Sequence, residues 1–513
     1  MKDRIKCEYH LFSIIILCML VFMGCSSQKE RATSLSSACW EPSIPEGQGV
    51  DSEILLNMMQ KIEKENIQMR SIIVLRNQRL ILEFYRFPYN RKITFNTKSA
   101  SKSIISALTG IALREKWIDS LDRIVESYFP QYFTAGEDPL KTKITLRHIL
   151  TMTSGLKIEE QSPEWDKIFA GAEPVRTTFA FPMAANPGEV FNYLTPMPLI
   201  MAAILTGTSG QSLEEISRRY LFEPLGITDA FWKAIDKRLI FSDIYMRPLD
   251  MAKFGMLFLQ KGKWQGKQVL PEEWVKESTS LHVEKTNQPI GSYGYMWWID
   301  PDKNIFKALG WGGQGIYVLP DKNAVIVITS SDYFASHKLV EDYIFPAIKS
   351  TTLLAPNPEK NRLLSKTVQR FASADFDCIR PIKRHPELAK KINNLTFNLE
   401  ANPAGWLSMA FHFAEASCQL TLGTDEGTYT FNVGLDNVYR FSDAGRYGER
   451  PDHNKVALRG KWKETDTFFL DFLQLGRPEH AWIDVRFKEN EIELKVELAG
   501  TGGFTIPMKG KRS

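Results

Sequence analysis

The chain has 513 residues, too many for one core of ordinary size, so its length predicts two folded domains plus connecting segments. Hydrophobic residues make up 43% and charged residues 24%, which excludes a disordered chain and a multi-span membrane protein. A net charge of +4 is small for this length and gives no support to nucleic-acid binding, which would need a clustered basic face.

The N-terminus, MKDRIKCEYHLFSIIILCMLVFMGCSSQKE, sets Lys2, Arg4 and Lys6 before an apolar run from Leu11 to Met23. The run is short for a membrane-spanning helix and suits the apolar region of an export signal. It ends in Gly24-Cys25 and a polar stretch, which resembles a bacterial lipoprotein signal, with Phe22 and Met23 in place of the usual Leu and small residue. That resemblance implies a signal over 1–24, lipidation of Cys25, and a protein held by lipid in the bacterial cell envelope, periplasmic or on the outer surface. An uncleaved anchor with an incidental cysteine stands as the alternative. Cys39, Cys378 and Cys418 remain in the body, without a CxxC or His-Cys cluster. This predicts neither a disulfide framework nor a metal site, with Cys378 and Cys418 as the one candidate bridge.

Residues 25–51 are rich in Ser, Gly, Pro and charge and read as a flexible tether. Residues 52–350 mix helices and strands. In MRSIIVLRNQRLILEFYRF two β-rich runs flank Asn77-Gln78 and predict a hairpin. In NTKSASKSIISALTG, residues 96–110, Ile104, Ala107, Leu108 and Ile111 recur at helical spacing and predict a buried helix that starts near Ser99. Residues 351–390 read as a connecting segment. Beyond 390 the period becomes two. Ile483, Val485 and Phe487 alternate with polar residues, Lys488-Glu489-Asn490 supplies a turn, and Ile492, Leu494, Val496 and Leu498 follow. Tyr429, Phe431 and Val433 repeat the pattern, so 391–513 predict a small antiparallel β domain closed or folded on itself.

Ser-x-x-Lys occurs three times, at Ser26–Lys29, Ser99–Lys102 and Ser154–Lys157, and spacing cannot choose among them. Context can. Ser26 lies in the tether, and Ser154-Gly155 reads as the C-terminal turn of a helix. Ser99 sits where a helix begins, beside unpaired backbone N–H groups and the positive end of the helix dipole. Lys102, a turn on, projects from the same face, and a neutral amine there can take the serine proton without a histidine. The plain alternative for Ser99 is a helix cap.

NPGEVFNYLT at 186–195 and GWGGQG at 310–315 follow. With SASK they resemble the three motifs of the serine β-lactamase and penicillin-binding protein-like family, Ser-x-x-Lys, Tyr-x-Asn and Lys-or-His-Thr-Gly. Connecting phrases agree in order: ITLRHILTMTSGL at 144–156, TGTSGQSLEEISRRYLFEPLGITDAFW at 206–232, RPLDMAKFGMLFLQKGKWQGKQVLPEEWV at 247–275 and YGYMWW at 293–298. They are most similar to the class C β-lactamase, esterase and 6-aminohexanoate-dimer hydrolase-like branch. The resemblance covers about 50–350 and implies an α+β fold, an antiparallel sheet flanked by helices with a helical subdomain. The β domain resembles, more weakly, the lipocalin-like barrels found after such hydrolases.

What the resemblance implies for the site is specific. Ser99 attacks a carbonyl and forms an acyl-enzyme, Lys102 is its base, and Tyr193 relays the proton to the leaving group. A phenol does this only with a cation beside it, and Lys102 is the obvious one. The Ser99 N–H and an N–H at Gly313 or Gln314, on a run through Trp311 and Gly312, form the oxyanion site. Thr195 stands where Asn is usual, and Trp311 where a Lys or His would receive a substrate carboxylate. That argues for an ester or amide lacking the carboxylate, small or peptide-like, with no cofactor. A β-lactamase or D-amino-acid peptidase acting on cell-wall-like peptides, and a catalytically silent envelope-binding lipoprotein, are the rival readings. There is no Gly-x-Ser-x-Gly elbow, and His148, His282 and His337 are read as structural or surface residues. Oligomeric state is not legible.

Overall fold

The structure is a computed structural model that describes residues 40–513 except 134–137, 160–161, 171–172, 237–238, 285, 287–289, 375, 377–378, 383, 426, 444–454 and 500–504. Its first domain is built on a seven-stranded antiparallel sheet. The order across it is Arg79–Tyr85, Met69–Arg76, Ala324–Ser330, Gln314–Leu319, Ile305–Gly310, Trp298–Asp300 and Ser292–Tyr293. The first two strands form the hairpin expected at Asn77-Gln78, both of which adopt φ near +50 to +60°. Met69–Arg76 is buried along its whole length, because helices cover one face of the sheet and the other carries further structure. Helix Pro248–Leu259 lies against the central strands, and Ser101–Arg114 packs on Pro196–Ser209 and on the end of strand Ile305–Gly310.

Parts of two segments expected to lie outside the domains, the tether and the connecting segment, belong to this core. Residues 40–50, assigned to the tether, bury Trp40 and Val50 and bridge Pro42 to Leu80 and Val50 to Ile348. Glu46 there accepts from Ser52 and Asn361, so polar composition concealed a folded contact. In the connecting segment, Pro358–Phe371 is a helix whose Leu364 and Phe371 join the same core. Its apolar residues repeat at helical spacing on one stripe, and helix Ser52–Lys64 covers that stripe.

The second domain is a closed barrel of nine strands. Around the ring they run Gly427–Gly434, Cys418–Thr424, Trp406–Phe413, Thr396–Leu399, Thr505–Arg512, Glu491–Leu498, His480–Phe487, Thr467–Gln474 and Lys455–Trp462. The ring closes where Val433 pairs with Leu458 in parallel, and Arg440–Asp443 flanks that seam. An odd ring of alternating strands must contain one parallel pair, which a period of two cannot reveal. Phe397, Phe411, Phe431, Phe468, Phe472 and Phe487 meet inside and fill the barrel. The Cys418 thiol is free and buried; Cys378 lies outside the described residues.

The domains share a small apolar cluster of Tyr89 and Phe95 with Tyr439, Ala457, Leu473 and Leu475. Beside it the buried Arg70 guanidinium donates to the backbone carbonyls of Arg477 and, at 2.9 Å, Pro478. Burial pushes the Arg70 pKa down, and these carbonyls, with Ser331, supply the hydrogen bonds its charge needs.

Candidate active site

Ser99 lies in the single 3-10 turn Lys98–Ala100 that leads into helix Ser101–Arg114. The turn is held on three sides. Asn96 Oδ1 accepts the Lys98 N–H at 2.8 Å, Thr97 N–H donates to Ile244 O at 2.9 Å, and Asn96 N–H donates to Gly476 O at 2.7 Å. Lys98 adopts φ +51°, a left-handed conformation that costs a non-glycine residue about 1 kcal/mol or more and survives only where neighbours enforce it. The result is a half-buried Ser99 above the first helical turn.

The Lys102 ammonium, on a side chain only 2% exposed, is 2.9 Å from Ser99 Oγ and 3.5 Å from Thr195 Oγ1. It stands 4.8 Å from the centre of the Tyr193 ring. Tyr193 is fixed by Trp298, stacked at 5.4 Å, and by Tyr293 edge-on at 6.1 Å. Among the described residues no carboxylate forms an ion pair with Lys102. The helix start thus brings together a hydroxyl, an amine and a phenol, the parts of a histidine-free nucleophile.

Ser99 and Tyr193 line a cleft of about 480 Å³, with Lys102 behind Ser99. Its walls are mainly aromatic and aliphatic: Trp165, Phe169, Trp298, Trp311, Tyr333 and Leu309. Trp165 Nε1 is buried there with no hydrogen-bond partner. Burial and the neighbouring Tyr193 push the Tyr333 hydroxyl up to about 12, so it stays a donor. The charged lining among the described residues is Lys98 and Asp243. Of these, Trp311 was marked by the sequence as a site residue, and Trp298 and Lys98 lie in quoted phrases without being singled out; Trp165, Phe169, Tyr333 and Asp243 come from segments with no motif of their own.

The glycine run is placed differently from expectation. Strand Ile305–Gly310 ends at the nucleophile turn, a three-residue turn Trp311–Gly313 follows, and Gln314 begins the next strand, paired with Gly310. Leu309, Gly310 and Trp311 line the cleft, whereas Gly312, Gly313 and Gln314 do not. The Gly313 N–H donates to Gly310 O at 3.3 Å, and the Gln314 side chain donates to Ser330 O at 2.8 Å. Gly310 must be small, since a Cβ there would lie 2.2 Å from Thr97 O. The sequence reading aligned the motif on its closing glycine, whereas the residues of this run that line the cleft sit at the strand end.

None of the expected structural histidines lines the cleft. His148 caps its helix with Thr145, His282 stacks on Tyr295 at 3.9 Å, and His337 bonds to the Tyr317 hydroxyl. Ser101 and Ser103 are buried, Ser103 donating to Met296 O.

Comparison with known proteins decides what this geometry belongs to. The beta-lactamase family model matches residues 59–347, more than half of the chain. The chain belongs to the beta-lactamase family. Within it, the chain is 21% identical over 315 residues to the 6-aminohexanoate-dimer hydrolase of Paenarthrobacter ureafaciens, covering 57% of this chain and 80% of that protein. It is 25% identical over 206 residues to the lovastatin esterase of Penicillium rubens, 36% of this chain and 51% of that one. A Bacillus anthracis structure provisionally described as a 6-aminohexanoate-dimer hydrolase superposes with a TM-score of 0.51 at 21% identity, covering 61% of this chain and 88% of its own. The protein is a serine hydrolase of the beta-lactamase family whose family domain carries the Ser99 cleft.

Proposed function

We propose that the protein cleaves an ester or amide of a small, largely apolar acyl group through an acyl-Ser99 intermediate. The observation that carries this is the 2.9 Å contact from an otherwise carboxylate-free Lys102 to Ser99 Oγ at the floor of an aromatic cleft. Ser99 Oγ adds to the carbonyl carbon as its proton passes to Lys102. Collapse breaks the bond to the leaving group, which takes the proton by way of Tyr193. Water then adds to the acyl carbon as its proton passes to the same groups; the acyl–Ser99 bond breaks, Ser99 Oγ regains the proton, and the acid leaves. The Ser99 N–H and the backbone end at Gly310–Trp311 supply the oxyanion contacts, in place of Gly313 or Gln314.

Trp311, at the mouth, offers no charge to a substrate carboxylate, which favours esters and amides over β-lactams. Purified protein treated with a fluorophosphonate probe is expected to be labelled, with the label lost in Ser99→Ala and weak labelling by fluorescent penicillin. Labelling that survives Ser99→Ala would remove Ser99 as nucleophile. Strong penicillin labelling would turn the reading toward the β-lactamase or peptidase alternative.

The envelope address rests on the sequence of 1–25, which lies outside the described residues. Among the described residues no helix is long and apolar enough to cross a membrane. Incorporation of an alkynyl fatty acid, lost in Cys25→Ala, is the expected mark of a lipid anchor, and its absence from the wild type would overturn one.

A further inference from the structure

The loop between barrel strands Thr467–Gln474 and His480–Phe487 touches two segments that border the catalytic cleft, the nucleophile turn and the glycine turn. Gly476 O takes the Asn96 N–H at the start of the nucleophile turn. Pro478 lies against Gly312, so closely that a Cβ on that glycine would meet it at 2.5 Å. Glu479 Oε1 accepts from the Lys98 ammonium at 2.8 Å. Asp243 Oδ2 stands 3.9 Å from the same ammonium, and the Trp311 ring centre lies 5.7 Å from it.

Lys98 is therefore the cation nearest the place where Trp311 supplies none, and it is already claimed by two carboxylates. The Glu479 Oε2 atom is buried without a hydrogen-bond partner. Burial opposes ionisation of Glu479, but Lys98 beside it holds the carboxyl below the usual carboxylate range. A carboxylate entering the cleft meets an ammonium outnumbered by fixed anions, whereas an uncharged chain meets only the aromatic walls.

We infer that the barrel sets the charge preference of the acyl site: Glu479, reaching in from the barrel loop, occupies Lys98 and so turns away substrates that carry a carboxylate. This rests on the acyl-Ser99 reading. Glu479 does not line the cleft; it acts through Lys98 and is a positioning residue. No chemical step changes, only the relative binding of anionic and neutral acyl groups in the transition state.

The test compares p-nitrophenyl hexanoate with mono-p-nitrophenyl adipate, two chains of the same length that differ in a terminal carboxylate. The readout is the ratio of kcat/KM for adipate over hexanoate, which general damage to the fold does not move in one direction. Glu479→Gln is expected to raise that ratio about fivefold, the scale of one partly exposed ion pair. Lys98→Gln in the same background is expected to cancel the rise. In the wild type, discrimination against adipate is expected to shrink as salt rises from about 0.02 to about 0.5 M, a measurement that needs no variant. An unchanged ratio in Glu479→Gln, a rise that persists with Lys98→Gln, or a salt-independent ratio would overturn the inference. The matching pair of p-nitrophenyl phosphonates reads the same preference as rates of Ser99 modification by mass spectrometry. A wild type that turns over neither ester and takes neither phosphonate on Ser99 overturns the acyl-transfer reading itself. Reaction with a ratio that ignores Glu479 overturns only the role of the barrel.

Discussion

Two buried polar clusters in this molecule use similar groups to opposite ends. At the helix start Ser99 and Tyr193 line a cleft, with Lys102 buried behind the serine. At the domain junction Asp471, only 3% exposed, accepts from His480 Nε2 at 2.5 Å, Arg459 Nε at 2.9 Å and the Tyr439 hydroxyl at 2.8 Å. By residue type, a histidine–aspartate pair beside a tyrosine is the more familiar catalytic set. Yet both Asp471 oxygens are taken, Arg459 lies over the Tyr439 ring at 4.4 Å, and no serine or cysteine is bonded to His480 among the described residues. A network whose members satisfy one another is structural glue. One that leaves a serine hydroxyl lining an open cleft, with an amine bonded to it from behind, has kept capacity for a substrate. The lesson is that the unused partner, rather than the residue list, separates a site from a strut.

That contrast can be broken at either end. The largest effect is expected from Lys102→Arg, which preserves charge and roughly the reach but cannot give up its proton. Activity on a p-nitrophenyl ester should fall about a hundredfold or more, with little change in thermal midpoint. Activity within a few-fold of wild type would mean that Lys102 is not the base.

Asp471→Asn should do the reverse. It removes a buried carboxylate that accepts from Arg459, His480 and Tyr439 at once and should cost about 3 kcal/mol of stability in chemical denaturation. Turnover per folded molecule should hardly change. A large loss of turnover with stability intact would promote the Asp471 cluster from strut to site.

The smallest effect is a pH slope. Burial, with Lys307 nearby, presses the His337 pKa down to about 3, against about 6.5 in an unfolded chain. Below about pH 6.5 the unfolded state takes the proton and the folded state refuses it, so stability falls as pH drops from there toward 3. His480 is depressed by burial in the same direction, with Asp471 opposing. Asp471, which His480 and Arg459 hold far below the carboxylate range in spite of burial, adds a further loss below about pH 4. His337→Gln should flatten part of the slope of thermal midpoint against pH between 6.5 and 4. An unchanged slope would place the proton uptake elsewhere.

What the sequence made legible follows from distance along the chain. Ser99 and Lys102 are one helical turn apart, so local periodicity and a helix start were enough to place them together. Tyr193 and Trp311 were reachable because family phrases flank them. Lys98 is adjacent to the nucleophile, but its importance lies in partners at 243 and 479, which no local pattern connects. Tyr333 follows a buried strand without any spacing signal, and Trp165 sits in a short helix that reads as ordinary amphipathic surface. The barrel strands were visible from alternation, while their number and the parallel seam are properties of closure. Residues 40–50 misled through composition, since one buried Trp40 outweighs a run of polar neighbours.

Strand Thr396–Leu399 pairs with Thr505–Arg512, so the barrel cannot close until the segment reaching Arg512 has left the ribosome. By then the whole hydrolase sheet and the Ser99 helix have long been available to fold. Loop 475–479 takes its shape from neighbouring barrel strands, so the mouth of the catalytic cleft is finished last. On the inferred role of Glu479, the choice of substrate at Ser99 depends on the last strand of the chain, because that strand completes the barrel from which the loop projects.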